Sequence, residues 1–191
     1  WIVNDGTSNS RAVTSTITVA DVNDPPVITG DLSISVAEGE TVYITTTDLN
    51  FSDGDDVVSP GGGVKYYISA NTSHGTLEVY NNSTSTWSVF STANTNGRWA
   101  NKTSMEGPGG AGTTRMKYTH DGSQNMSDSF QIYVEDGNED NSTPTASTVS
   151  ISIIEDNEPP VLSNAGGTLA YSEDDAATAI DTTLSLADVD D

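Results

Sequence analysis

The chain contains no cysteine, and lysine and arginine together number only 6 of its 191 residues. The first absence excludes disulfides, thiolate metal sites and a cysteine nucleophile, fits a secreted protein, and leaves stability to other sources. Against the 6 bases stand 28 acids, for a formal net charge of -22. Long-range attraction to nucleic acid or to an anionic membrane is therefore not expected, and cations are the natural partners. No stretch approaches ~18 consecutive apolar residues, so no direct membrane insertion is read from this segment. There is no visible signal peptide and no initiator Met, and the opening "WIVNDG" already has the look of a strand. The expectation is a segment of a longer protein.

What is present is Ser, Thr, Gly, Asn and Asp in abundance, with Lys, Ala and Leu sparse, a balance that favours strands and turns over helices. A surface adapted to high salt or to solubility would also be acidic and poor in lysine. Such a surface spreads its charge, whereas here the acids fall in short groups at turns: "ADVND", "SDGDD", "VEDGNED", "EDNE", "SEDD" and "ADVDD". Taken alone, each group also reads as a solvated Asx or hairpin turn.

Period-two alternation dominates the segments between. In "DSFQIYVED" Phe130, Ile132 and Val134 share a face, and in "STVSISII" Val149, Ile151 and Ile153 do the same, as half-buried strands require. Similar runs are "STITVADV", "LSISVAEG", "TVYITTT", "VKYYISA", "GTLEVY", "RMKYTHD" and "GTLAYSE". No window offers a helical stripe, so the chain is expected to be all-β.

An internal repeat also shows. "WIVNDG" resembles "IYVEDG" at 132–137, and each leads through a Ser/Thr-rich stretch into an apolar strand, an acidic linker and a proline pair. The two linkers read "ADVNDPPV" and "IIEDNEPPV". Each is followed by an apolar strand, an acidic pause, a further strand and an Asp cluster. The expected organisation is the last strands of one repeat at 1–24, a complete repeat of roughly 130 residues at 25–158 with a Gly-rich loop near 91–113, and the first part of another at 159–191.

Carboxylates crowded at two junctions repel one another, and a divalent cation converts that repulsion into a clamp. Ca²⁺ takes six to eight oxygens at about 2.3–2.6 Å and has no use for thiols. Oxygens are what this chain supplies.

"ADVNDPPV" resembles the linker between cadherin repeats, with Pro25 standing where that pattern has its second Asn. The central repeat is more similar to the chondroitin sulfate proteoglycan-type cadherin-like repeat, through "HGTLEV" and "RMKYTHDGSQNMSDSFQIYVEDG". "GGTLAYSEDDAATAIDTTLSLADVDD" looks more like the repeats of very large bacterial surface adhesins. The resemblance implies tandem cadherin-like, immunoglobulin-like β-sandwich repeats, outside the cell or on its surface, with Ca²⁺ where repeats meet. The implied partners are calcium ions and neighbouring repeats of the same chain, with homophilic or filament contacts beyond them. At the first junction it implies Asp21, Asn23 and Asp24 from the linker, Asp53 with Asp55 or Asp56 from "SDGDD", and Asp136 from "VEDG". At the second it implies Glu38, Asp121 and Asp128 from the trailing end, Glu155, Asn157 and Glu158 from the linker, and Asp188 with Asp190 beyond it. Glu155 and Glu158 stand where the family prefers Asp, and its Leu-Asp-Arg-Glu motif is absent, Asp121 being a positional stand-in.

Other motifs are weaker. His120 beside Asp121 evokes a general base and its orienter, but no Ser sits in a nucleophile setting and His74 is the other histidine of only 2, so an enzyme is not expected. "MEGPGGAGTT" has glycines without the lysine of a phosphate loop. Trp87 and Trp99 with Tyr80 form either a sugar-stacking platform or, the favoured expectation, sandwich core. Asn-x-Ser/Thr sequons recur in a sequence so rich in Ser and Thr that many arise by chance. Two functions remain: a calcium-stiffened stalk or filament segment, and a module that holds a glycan or protein partner.

Overall fold

The computed structural model describes residues 1–20, 22, 24–53, 65–81, 84–93, 99–101, 116–136 and 145–190, with side chains 99–101 left aside. Among these residues there is no helix; every regular element is a strand. One sheet has five strands in the order β2 (Ser33–Ala37), β11 (Ser147–Ile154), β10 (Ser127–Glu135), β5 (Lys65–Ala70) and β8 (Trp99–Asn101). The other has four, β3 (Thr41–Ile44), β9 (Met116–His120), β6 (Gly75–Asn81) and β7 (Thr86–Val89). Two smaller pairs complete the set, β1 (Val27–Thr29) with β4 (Asn50–Ser52) and β12 (Val161–Ser163) with β13 (Ser185–Ala187).

Alternation decides which face each strand buries. Val149, Ile151 and Ile153 of β11 are buried while the serines between them face out. On β10 the same holds for Phe130, Ile132 and Val134. From the four-stranded sheet Ile44, Leu77, Val79, Met116 and Tyr118 enter the same core, so the two sheets form a β-sandwich. Each such side chain fully removed from water contributes roughly 1.5–3 kcal/mol. Among the described residues the ladders are antiparallel with one exception: β2 runs parallel to β11, Ile34 opposite Ile151 and Val36 opposite Ile153.

Strand direction sorts the ends of the sandwich. β1 leads away from the first linker and β4 returns beside it, Val27 opposite Ser52, so Asp24 and Asp53 lie at the leading end, where β10 also finishes before Asp136. β2 and β11 run together to the trailing end and finish at Ala37 and Ile154, where the second linker starts. β12 and β13 lie beyond that linker, paired Val161 to Ala187.

Some expected strands do not form. Residues 1–20 carry one isolated bridge, Asn4 to Asn9, and "STITVADV" and "GTLAYSE" contain no strand among their described residues. Among the described residues neither segment has a neighbouring ladder to pair with, and a lone apolar run leaves its backbone groups to water. Trp87 and Tyr80 depart from the core-filling expectation too. Since Leu77 and Val79 point inward, Glu78 and Tyr80 point outward, and Trp87 opposite Tyr80 lies on the same outer face. Among the described residues no helix is long and apolar enough to cross a membrane.

Candidate metal centre at the trailing end

The turn between β2 and β3 is short. Glu40 N–H donates to the Ala37 carbonyl at 3.1 Å, and Gly39 supplies the positive φ, 69°, that such a turn demands at its third position. Glu38 N–H donates to the Ile154 carbonyl at 2.9 Å, tying the turn to the end of β11. The Glu38 side chain is consequently buried, 8 % exposed. Its Oε1 accepts from Gln124 Nε2 at 2.8 Å, while Oε2 is shielded from solvent without a hydrogen-bond donor.

His120, 2 % exposed, closes the floor of this region. Its Nδ1 accepts from Gly39 N–H at 3.2 Å and from Gly122 N–H at 3.3 Å. Both N–H groups therefore approach an unprotonated Nδ1, and the ring proton resides on Nε2, 3.7 Å from Asp121 Oδ1. The imidazole is a structural acceptor that shapes two loops.

The second linker and the loop after β13 meet here. Glu158 N–H donates to Asp190 Oδ2, and Asp190 N–H to Asp188 Oδ1 at 3.3 Å. Glu158 Oε2 and Asp190 Oδ1 are, like Glu38 Oε2, buried without a donor. The Glu158 carboxyl titrates above its ordinary range: first because the Asp190 carboxyl lies beside it, then through burial, then through the negative charges of Asp190 and Glu38. The negative charges of Asp190 and Glu38 are thus both felt at Glu158. Among the described residues no three acidic or imidazole side chains are gathered tightly enough to hold a metal ion as they stand, so chelation requires these groups to draw together. Their chemistry fits a hard divalent cation: oxygen donors, net negative charge, and oxygens left without a hydrogen-bond donor.

The other expected ligands divide. Glu155 and Asn157 are exposed, Asn157 Nδ2 donating to the Glu158 carbonyl at 2.9 Å. Asp121 is turned to its own loop, where it accepts from Ser123 N–H at 3.0 Å and titrates low because of Ser123. Asp128 is committed elsewhere: Oδ1 accepts from Ser73 and Ser129 N–H, Oδ2 from His74 N–H and the Tyr118 hydroxyl, all within 2.8–2.9 Å. Four donors fill the lone pairs of a carboxylate, so Asp128 anchors the 73–74 loop and has no acceptor site left to offer. At the leading end Asp24 is exposed, Asp53 half-buried and Asp136 buried, each engaged in contacts of its own. Asp21, Asn23, Asp55 and Asp56 lie outside the described residues.

Gln124 and His120 shape the site without having been expected in it. His120 stands out in sequence only as a catalytic temptation, and Gln124 in "HDGSQN" has no signal at all. Only the fold brings a loop 86 positions away onto Glu38. No protein-family model matches the chain, and comparison with curated proteins and with solved structures finds no match either.

Proposed function

We propose that this chain is a segment of a long extracellular or cell-surface protein of tandem cadherin-like repeats, a spacer in an adhesin stalk or filament whose junctions Ca²⁺ stiffens. The observation that carries the reading is the buried, donorless Oε2 of Glu38, together with the equally donorless oxygens that the linker residue Glu158 and Asp190 beyond it present. Glu38 belongs to the sandwich, Glu158 to the linker and Asp190 to the segment beyond, so a shared cation fixes three bodies against one another. Glu155, Asn157 and Asp188 are the nearest further oxygen donors along the chain. At the leading end the corresponding set is Asp21, Asn23, Asp24, Asp53, Asp55 or Asp56, and Asp136. Ca²⁺ supplies the positive charge that lets such carboxylates close up, with affinities of about 10⁻⁴–10⁻³ M usual for extracellular modules. No catalytic role is assigned.

Calorimetric titration with CaCl₂, paired with small-angle scattering, tests this. Saturable binding with an elongated, stiffer particle is expected. A heat trace flat to tens of millimolar, or a scattering profile indifferent to Ca²⁺ and chelator, would sink the proposal. A second reading, a glycan- or protein-binding module, draws on one observation: Tyr43, Tyr80 and Trp87 cluster on the outer face of the four-stranded sheet, with ring centroids 5.4–6.0 Å apart. Saturable glycan binding abolished by Trp87→Ala would favour it.

A further inference from the structure

We infer that Gln124 is the positioning residue that aims Glu38 at the junction, an inference that rests on the calcium reading above. Glu38 sits in a two-residue turn beside a glycine, and its side chain has three rotatable bonds; nothing in the turn itself chooses where the carboxylate points. The loop after β9 makes that choice. It is built around His120, whose Nδ1 gathers Gly39 N–H from one side and Gly122 N–H from the other. Asp121 then caps Ser123 N–H, and the chain arrives with Gln124 Nε2 at 2.8 Å from Glu38 Oε1. One carboxylate oxygen is held by an amide, and the other is left buried and without a donor, on a turn that the Glu38 N–H to Ile154 carbonyl bond of 2.9 Å ties to the start of the second linker.

The residue type suits this task. An amide donates a hydrogen bond without neutralising the carboxylate, so Glu38 is fixed in direction and keeps the negative charge that a cation needs. A lysine there would hold the oxygen and cancel the charge, and a glutamate could not donate while ionised. Hydrogen-bonding partners of ligating carboxylates tune metal affinity by orienting the ligand, and losing one typically costs about 10–100-fold. Because Gln124 is exposed and outside the core, replacing it leaves the sandwich folded.

The test is a Ca²⁺ titration by calorimetry of the whole chain and of Gln124→Met, Gln124→Ala, Glu38→Gln and the Glu38→Gln/Gln124→Met double variant. Methionine keeps the length of the stem and removes the donor. Both Gln124 variants are expected to bind about tenfold more weakly at the second junction, and Gln124→Met is expected to change nothing further once Glu38 is already Gln. Unchanged or tighter binding in either single variant overturns the inference, as does a loss of equal size in the Glu38→Gln background, which would make Gln124 a general structural residue. A wild-type chain that binds no Ca²⁺ overturns the calcium reading itself and this inference with it; wild-type binding with indifferent Gln124 variants removes this inference alone.

Discussion

Two strand pairs in this molecule are built alike and end up in different surroundings. β1 and β4 pair Val27 to Ser52 and Thr29 to Asn50; β12 and β13 pair Val161 to Ala187 and Ser163 to Ser185. Each follows a proline pair, and each is succeeded at once by a residue with positive φ, Gly30 at 109° and Asn164 at 59°. Yet Ile28 and Phe51 pack against the core, whereas Leu162 and Leu186 are 58 % and 70 % exposed. Pairing is a local matter that a short sequence can specify. Burial needs the facing sheet, and residues 25–158 contain it while residues 159–190 do not meet one.

The largest expected effect separates these two situations. Phe130→Ala, at a side chain 1 % exposed, should destabilise the central sandwich by about 3–5 kcal/mol in urea unfolding, as deletion of a buried aromatic does. Phe51→Ala, only partly buried, should cost less, and Leu186→Ala should stay within about 0.5 kcal/mol. A Leu186 variant as damaging as the Phe130 variant would erase the contrast and show that β12–β13 is packed in solution.

Next in size is the contrast between two acids at the trailing end. Glu38 keeps an oxygen without a donor, while Asp128 spends all of its acceptors on the sandwich. Burial by itself would raise the Asp128 pKa, but the N–H groups of Ser73, His74 and Ser129 and then the Tyr118 hydroxyl outweigh it, and the carboxyl titrates below its ordinary 3.8. Burial, then the bond and charge of Asp128, push the Tyr118 hydroxyl well above its usual range. Asp128→Ala strands four donors, of which the His74 N–H and the Tyr118 hydroxyl are partly covered, and should cost on the order of 2 kcal/mol. With a lowered folded pKa, the Asp128 contribution is complete above the unfolded value near 3.8 and is lost as pH falls through the folded one. Acid titration of stability should therefore be shallower in Asp128→Asn than in the wild type; parallel curves would contradict the assignment.

The alternations in "DSFQIYVED" and "STVSISII" specified the core positions of β10 and β11 because the period of a half-buried strand is set by covalent geometry, whatever the partner. "STITVADV" has the same alternation and forms no strand among its described residues, because a ladder also needs a neighbour and periodicity says nothing about one. Tyr80 and Trp87 were misplaced for a related reason: their aromatic character suggested interior, and the register of β6, with Leu77 and Val79 inward, overruled it. At the site, Glu158 was legible as an acid beside a proline pair, while Glu38 and Asp190 were reached only through the resemblance to cadherin-like repeats. That Asp128 would be saturated by a loop 54 positions away, and Gln124 recruited by a turn 86 positions away, depends on long-range topology that residue spacing does not encode.

A third effect bears on whether metal can make the two strand pairs alike. At Ca²⁺ about tenfold above Kd, binding adds about 1.4 kcal/mol to whatever it holds. Amide exchange in β12 and β13 should slow by roughly that amount in calcium and should not do so in Glu38→Gln. Exchange in β10 and β11, governed by the core, should barely respond. Slowing in the central sandwich with none in β12–β13 would place the cation somewhere other than the junction.

The smallest expected effect asks whether the outer face of the sandwich behaves like its interior or like the exposed pair. Lys117 on β9 reaches Glu78 at 2.8 Å and lies 4.6 Å from the Trp87 ring centroid, in a row where Tyr43 pairs with Lys117 and Lys117 with Glu78. Water reaches all of these groups, so the ion pair and the cation–π contact together should be worth under about 1 kcal/mol. Lys117→Met preserves the stem that covers the indole and removes the charge, which isolates the electrostatic part. The loss should shrink further in 1 M salt, since the Debye length there is only about 3 Å. A loss above about 2 kcal/mol that salt leaves untouched would mean that the Tyr43–Lys117–Trp87 row is packed as a second core. The outer face would then belong with the interior in this comparison, and Trp87 would be unavailable to any ligand.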